Sequence, residues 1–310
     1  MSYPKKASAN ISDTLLADRM ARSLAITTMR IVICLFATIL ASTTANAADI
    51  DRLLSAVVYL KTDRVETTEH NGRHFEIWLR DPTTGKASPK LISTTGTGFL
   101  VVREGRVFIV TAQHVAAGLQ PNSTATVRLP DKAGSVIQLS KLLRSDWRSH
   151  KSADVSVAEV NSNIDAISLL NSAFSYDLII SKPMTPSRSI RLTVIGFPLS
   201  LGIGETVSPI TRESMAASGP LDLPRFDNHI VAQFFLLQDP SVGGFSGSPV
   251  FDLNMPIMES RGLAYRSASG PICYGLVHGT ISDDTGGKFA AIVPGIFIRQ
   301  VIDQYFSSPM

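Results

Sequence analysis

The stretch Gly243-Gly244-Phe245-Ser246-Gly247-Ser248-Pro249-Val250-Phe251 sets small residues around one serine and runs at once into an apolar, strand-like segment. Two readings compete. One is a tight turn with no further role; the other is a nucleophile displayed on a turn whose backbone N–H groups face a substrate. Glycines beside the serine permit backbone conformations closed to other residues, and Pro249 restrains the chain as the next strand begins. The choice depends on what the rest of the chain brings to Ser246.

Around that stretch the chain reads as short apolar runs divided by Gly, Pro, Asn, Asp and Ser, the pattern of an all-β protein. Leu54–Leu60, Gly98–Val102, Val107–Thr111, Thr124–Arg128, Ser135–Leu139 and Asp154–Val160 are expected strands, with Arg103-Glu-Gly-Arg106 as a hairpin turn. Thr62 to Lys90 reads as an extended hairpin with Phe75–Leu79 as one arm. A second set follows at Arg191–Phe197, His229–Leu237, Ser248–Phe251, Tyr274–His278 and Lys288–Val293. After Pro294, Ile298, Val301, Ile302 and Tyr305 recur at helical spacing, which predicts a C-terminal helix with one apolar face. Two sets of about six strands predict two antiparallel six-stranded β-barrels, with residues 48–165 in the first, 166–190 as connector and 191–310 in the second.

The first 47 residues read differently. They carry five basic and two acidic residues out of 29 and 26 in the chain, leaving 24 of each sign in the remainder. The neutral remainder gives no electrostatic reason to expect nucleic acid as a partner. Arg30 precedes the apolar run Ile31–Ala41, too short to span a bilayer comfortably, and Ala45-Asn46-Ala47 fits a signal-peptidase site. Residues 1–47 are therefore expected to be a signal peptide, cut between Ala47 and Ala48, with Met29 as an alternative start. An uncleaved anchor is the competing reading, disfavoured by the cleavage-like ending. The expected product is exported, periplasmic or secreted, with no stable membrane span. Cys34 lies in the leader, so Cys273 stands alone in the mature chain; its apolar neighbours predict a buried thiol and no internal disulfide. There is no metal-type Cys/His spacing, no phosphate loop, no dinucleotide fingerprint and no internal repeat.

Two further patterns bear on Ser246. In Thr111-Ala-Gln-His114-Val-Ala-Ala a histidine follows an apolar strand at its end; in Ser152-Ala-Asp154-Val-Ser-Val an aspartate opens an alternating strand. Each alone reads more simply as an ordinary surface or strand-end residue. Acyl transfer needs all three kinds of group, a hydroxyl, a base within reach of it and donors where the oxyanion develops.

Jointly, TGTGFLV with FIVTAQHV, ADVSVAEV and GGFSGSPVF resemble the trypsin-like serine proteases in content, order and spacing, most closely the bacterial exported members. His114 and Asp154 are 40 residues apart, and Asp154 and Ser246 are 92 apart. The resemblance covers residues 52–303. It implies Ser246 as nucleophile, His114 as general base and then acid, and Asp154 as the group that orients and stabilises the imidazole. It further implies an oxyanion hole from the N–H groups of Gly244 and Ser246, and a substrate-pairing strand at Val277-His278-Gly279. The expected substrate is a protein or peptide, and no metal or organic cofactor is implied.

Phe245 departs from the family pattern, which often has Asp or Asn before the nucleophile. Activation by pairing of an Asp with a new N-terminus is therefore not expected, and whether the oxyanion turn is preformed stays open. With 64 residues after Ser246, the sequence as given leaves no room for the C-terminal peptide-binding domain of HtrA-type chaperone-proteases. Asp239 could reach the base of the specificity pocket, although Pro240 stands at the expected spacing. His278 would suggest an acidic or Gln-preferring pocket, but strand alternation turns Val277 toward that pocket instead. A small or apolar P1 residue is the default. The other readings are a trypsin-fold binding protein without turnover, its turn spoiled by Phe245, and an α/β-hydrolase esterase. The last conflicts with the His, Asp, Ser order.

Overall fold

Val107-Phe-Ile-Val-Thr111 is apolar at nearly every position rather than alternating, the mark of a strand covered on both faces. In the computed structural model this strand is buried from Val107 to Thr111. Its Phe108 ring meets Tyr305 and Phe306 of the C-terminal helix, at 5.1 and 5.9 Å. The hairpin before it turns at Glu104 and Gly105, both at positive φ (50° and 75°), with Arg103 opposite Arg106. Two central residues of that kind match the right-handed twist of the flanking strands. The structure describes residues 50–70, 73–128, 133–163, 166–253, 257–259, 262–264 and 270–307. The expected leader at 1–47, with Met29, Cys34 and the expected cleavage point, lies outside them.

The strands form two large sheets. The first comprises β1 (Val57–Val65), β2 (Leu91–Arg103), β3 (Arg106–Thr111), β4 (Thr124–Arg128), β5 (Gly134–Gln138), β6 (Arg148–Ser149), β7 (Ser156–Glu159) and β8 (Phe174–Ser175). Their order is β6-β7-β3-β2-β1-β4-β5, antiparallel throughout, with β8 lying parallel to β2. The second comprises β9 (Arg191–Gly196), β10 (Ile210–Met215), β11 (Leu221–Pro224), β12 (Val231–Leu237), β13 (Pro249–Asp252), β14 (Ile272–Ser282) and β15 (Lys288–Pro294), in the order β10-β9-β13-β14-β15-β12-β11.

The expected all-β architecture of two antiparallel strand sets and a C-terminal helix is present, with eight strands in the first sheet and seven in the second among the described residues. The extra strands have physical reasons for being illegible. β6 and β8 are two residues long, and β10 and β11 are solvated edges with few buried positions. Residues 50–56 are helical, so the first strand begins at Val57 rather than Leu54. The expected Phe75–Leu79 arm is broken at Ile77 into two short ribbons, Thr67–His70 with Arg73–Glu76 and Trp78–Arg80 with Ala87–Pro89.

The two sheets share one core. Its buried members include Val58, Phe99, Ile109 and Phe174 from the first sheet, and Phe251, Leu276 and Val293 from the second. Phe174 stacks on Phe99 at 5.5 Å and meets Phe251 edge-on at 5.2 Å, joining the halves through three rings. The C-terminal helix, Gly295–Ser307, buries Ile298, Val301, Ile302 and Tyr305, the face expected from their spacing. It returns to the first sheet, where the Tyr305 hydroxyl donates to the Val157 carbonyl at 2.9 Å. Gln300 of the same helix meets His150, whose Nδ1 accepts the Ala153 N–H at 2.9 Å and so braces the loop before β7. Among the described residues no helix is long and apolar enough to cross a membrane. Cys273 is buried, and burial pushes its thiol up to about 12.

Because Phe174 is 1% exposed and touches both halves, Phe174→Ala is expected to cost about 3–5 kcal/mol, read as a lower urea midpoint. A loss under about 1 kcal/mol would mean that the sheets do not depend on this junction.

Candidate active site

His114 sits in the first turn of a short helix, Gln113–Gly118, immediately after β3. Its N-cap, Ala112, has no side chain able to cap the helix. A first-turn N–H needs an outside acceptor, and the His114 N–H finds one in Asp154 Oδ1 at 2.9 Å. Asp154 lies in the bend just before β7, completely buried, and its Oδ2 faces His114 Nδ1 at 2.7 Å. One carboxylate therefore holds both the backbone and the ring of His114.

Two further groups complete the surroundings of Asp154: His278, expected in the substrate-pairing strand, and Arg225, which carried no sequence pattern. His278 Nδ1 lies 2.5 Å from Oδ2, and Arg225 Nη2 donates to Oδ1 at 3.0 Å. A carboxylate has about four acceptor positions, and here all four are used. Burial alone would raise the pKa of Asp154; hydrogen bonds from His114 and His278 outweigh it and hold the carboxyl well below its ordinary range. Since an ionised carboxylate only accepts, both Nδ1 atoms carry protons. His114 Nε2 is then unprotonated in the neutral ring, with no hydrogen-bond partner among the described residues.

His114, Asp154 and His278 also have the donor types of a metal site and lie within 4.8 Å of one another. Their geometry fits hydrogen bonding better. A cation would have to compete with the Arg225 guanidinium for a carboxylate whose acceptor positions are filled.

Ser246 is held by backbone contacts from both sheets. Its carbonyl accepts the Thr97 N–H at 2.9 Å, and the Gly247 N–H donates to the Val277 carbonyl at 2.8 Å. The Thr97 hydroxyl, fully buried, donates to the Gly244 carbonyl at 2.7 Å and accepts the Phe197 N–H at 3.1 Å. Gly244 and Gly247 adopt φ of +95° and +84°. A Cβ on either would fall 2.4 Å from the Phe197 oxygen or 2.1 Å from the Thr97 oxygen, so both positions require glycine.

The N–H groups of Gly244 and Ser246 have no protein acceptor among the described residues, and their direction is determined. The N–H and C=O of one trans peptide point opposite ways. The Gly243 carbonyl is tied to the Leu199 N–H at 2.8 Å, so the Gly244 N–H points away from Leu199; the Phe245 carbonyl is likewise tied to the Ser248 N–H at 2.8 Å. Leu199 and Ser200 hold left-handed conformations at φ 51° and 60°, strain of about 1–3 kcal/mol each. Ser200 is anchored by the Tyr59 hydroxyl of the first sheet at 2.8 Å. Phe245 is 3% exposed in the second apolar cluster, so burial of a ring secures this turn where a charge pair was not expected.

The Ser246 hydroxyl donates to the His278 carbonyl at 3.2 Å, and no hydrogen bond joins it to His114. It opens into a pocket of about 240 Å³ lined by Phe226, Ser241, Val242, Gly243, Gly279 and Thr280. Phe226 also packs edge-on against His114 at 5.0 Å. Of the expected substrate residues, Gly279 lines this pocket, while Asp239 and Val277 do not. They border a separate small cavity with Arg212 and Ser214, and Val277 is buried with its N–H on the Ser248 carbonyl.

His278 is not a pocket residue either: its ring is 1% exposed and turned to Asp154. The cause is a bulge. Val277 faces Ile292 and Gly279 faces Ala291, so His278 is an extra residue, and a bulge re-aims side chains. Alternation counted across it assigns the wrong face. Arg225, Phe226 and Thr97 carried no local pattern of their own, although Thr97 lies within the TGTGF segment.

Asp154 has a lowered pKa in the folded state, so its contribution to stability is present above the ordinary carboxylate value and lost as pH falls through that value toward the lowered one. Urea midpoints measured from about pH 6 to 2 should therefore fall less steeply for Asp154→Asn than for wild type. Equal slopes would show that the carboxylate is not held ionised.

No family model matches the chain, and no curated protein does. Among solved structures it is similar to an inactive form of Rv3671c from M. tuberculosis H37Rv, with TM-score 0.47 and 14% identity over 84% of this chain and 92% of that one. It is also similar to the HtrA-type protease AlgW solved with a decapeptide, with TM-score 0.46 and 17% identity over 84% and 68% of the two chains. A third is the MamO protease domain from Magnetospirillum magneticum, with TM-score 0.44 and 13% identity over 83% and 98%. With every TM-score below 0.5, these likenesses are similarities alone, and the reading of the site rests on its own geometry.

Proposed function

We propose that the chain is a serine endopeptidase, exported to the periplasm or secreted once residues 1–47 are removed. The observation that carries this reading is the state of His114. Its Nδ1–H is bound to a buried carboxylate, which leaves Nε2 as a base, while Ser246 sits on a turn with two unpaired N–H groups.

On this reading the Ser246 hydroxyl leaves the His278 carbonyl for His114 Nε2. Its oxygen then attacks the scissile carbonyl carbon as Nε2 takes the proton. The negative charge moves to the carbonyl oxygen, where the Gly244 and Ser246 N–H groups receive it. Collapse breaks the C–N bond, and His114 returns the proton to the leaving amine. Water, giving a proton to His114, then attacks the acyl carbon; the C–O bond to Ser246 breaks, and His114 returns that proton to the serine oxygen. Asp154 stays ionised throughout and stabilises the imidazolium. The pocket beside Ser246 has no charged side chain, which favours a small or apolar P1 residue over a basic one.

A second reading is a binding protein of the same architecture. It is favoured by the bond from the Ser246 hydroxyl to His278 rather than to His114.

A fluorophosphonate probe is expected to label the wild-type chain, to fail on Ser246→Ala and to label His114→Ala far more slowly. Digestion of a peptide library should then cut after small or apolar residues. Labelling that persists in Ser246→Ala would remove Ser246 as the nucleophile, and a folded wild type that takes no label would favour the binding protein.

A further inference from the structure

His278 and Arg225 both reach Asp154 from the second half of the chain, and neither touches the Ser246 pocket through its side chain. His278 is clamped. Its ring lies between Phe226, at 4.2 Å and 32°, and Phe234, at 4.9 Å and 29°. The Phe226 N–H approaches its Nε2 at 3.4 Å, so Nε2 is the acceptor and the ring proton sits on Nδ1, facing Asp154.

Arg225 is 1% exposed, with all five guanidinium N–H groups engaged. Nε and one Nη2 donor go to Asp227, at 2.9 and 2.5 Å, and the other Nη2 donor goes to Asp154 at 3.0 Å. The Nη1 donors go to Gln113 Oε1 at 2.7 Å and to the Ser152 carbonyl at 3.1 Å. Gln113 adjoins His114, and Ser152 stands two residues before Asp154. One side chain thus fastens the segments that carry both residues.

We propose that His278 and Arg225 are positioning residues for the Asp154–His114 pair. Their N–H groups orient the carboxylate so that His114 Nδ1 is the donor and Nε2 the base. The consequence is that a base carried wholly by the first sheet is put in working order by the second. The inference rests on the endopeptidase reading for its kinetic effect, but its structural content does not depend on turnover.

The test therefore has two arms. In the first, proton NMR of the full chain labelled with ¹⁵N-histidine should show two strongly downfield ring N–H signals, from His114 and His278. Asp154→Asn should remove both from that region. His278→Asn, whose amide nitrogen takes the place of Nδ1, should remove one and leave the other near its wild-type position, whereas His278→Leu should remove one and displace the other.

In the second arm, steady-state cleavage of a peptide with an apolar P1 residue should show kcat lowered roughly 10- to 100-fold in His278→Leu at unchanged KM, the cost of one donor to a charged acceptor. His278→Asn should recover most of that loss, which packing alone would not do. Arg225→Lys, unable to bridge Asp154, Gln113 and Ser152 together, should also lower kcat more than it raises KM.

A single downfield signal in wild type, an unmoved His114 signal in His278→Leu, or equal kcat in His278→Leu and His278→Asn would overturn the proposal. If wild type proves unable to cleave peptides or take the probe, the endopeptidase reading fails, and the NMR arm still decides this one.

Discussion

The ionised carboxylate of Asp154, buried without a trace of exposure, is the constraint around which the site is organised. A charge in that position is tolerable only if donors replace the water it has lost. They come from three places far apart in sequence: the helix after β3, the turn between β11 and β12, and β14. The cationic partner, Arg225, is itself buried and shared with Asp227, so one cation serves two carboxylates and the N–H donors around Asp154 supply the rest. Removing one member of such a set leaves another stranded. The loops are held in place because none can move without exposing that cost.

The seam between the sheets is where everything chemical lies. Thr97 of β2 contributes its N–H and hydroxyl to the turn around Ser246, and the Phe99–Phe174–Phe251 stack closes the apolar side. Gly244 and Gly247 lie against backbone oxygens of Phe197 and Thr97 at distances that a side chain could not keep. The turn is thus defined by what surrounds it as much as by its own residues. A strained pair, Leu199 and Ser200, is retained because the Leu199 N–H is the strut behind the Gly243 carbonyl.

Much of the fold was legible because burial leaves a pattern. The runs Val107–Thr111 and Arg191–Phe197, the Glu104-Gly105 hairpin and the buried face of the final helix could each be read from apolar spacing or turn chemistry. Edge strands such as Ile210–Met215 were not, since one solvated side removes the pattern. At the site, His114 and Asp154 stood where local motifs put them, and the structure pairs them. The alternation that turned Val277 toward the pocket was counted through a bulge, where His278 is an extra residue in β14. Asp239 borders the neighbouring cavity rather than the one at Ser246, a choice that distance along the chain does not encode. Arg225 left no trace, since its partners lie 71 and 112 residues earlier.

The reach of Thr97 carries a consequence for how such a protein comes into being. Its hydroxyl and N–H wait for partners at Phe197, Gly244 and Ser246, a hundred residues or more downstream. A chain made from its N-terminus has β1 to β3 and the bend of Asp154 long before those partners exist. The hydroxyl of Ser246 cannot meet its turn, nor Asp154 its last donor, until β14 has emerged and docked. The contacts that fix Asp154 and the turn of Ser246 are therefore among the last that the growing polypeptide can complete.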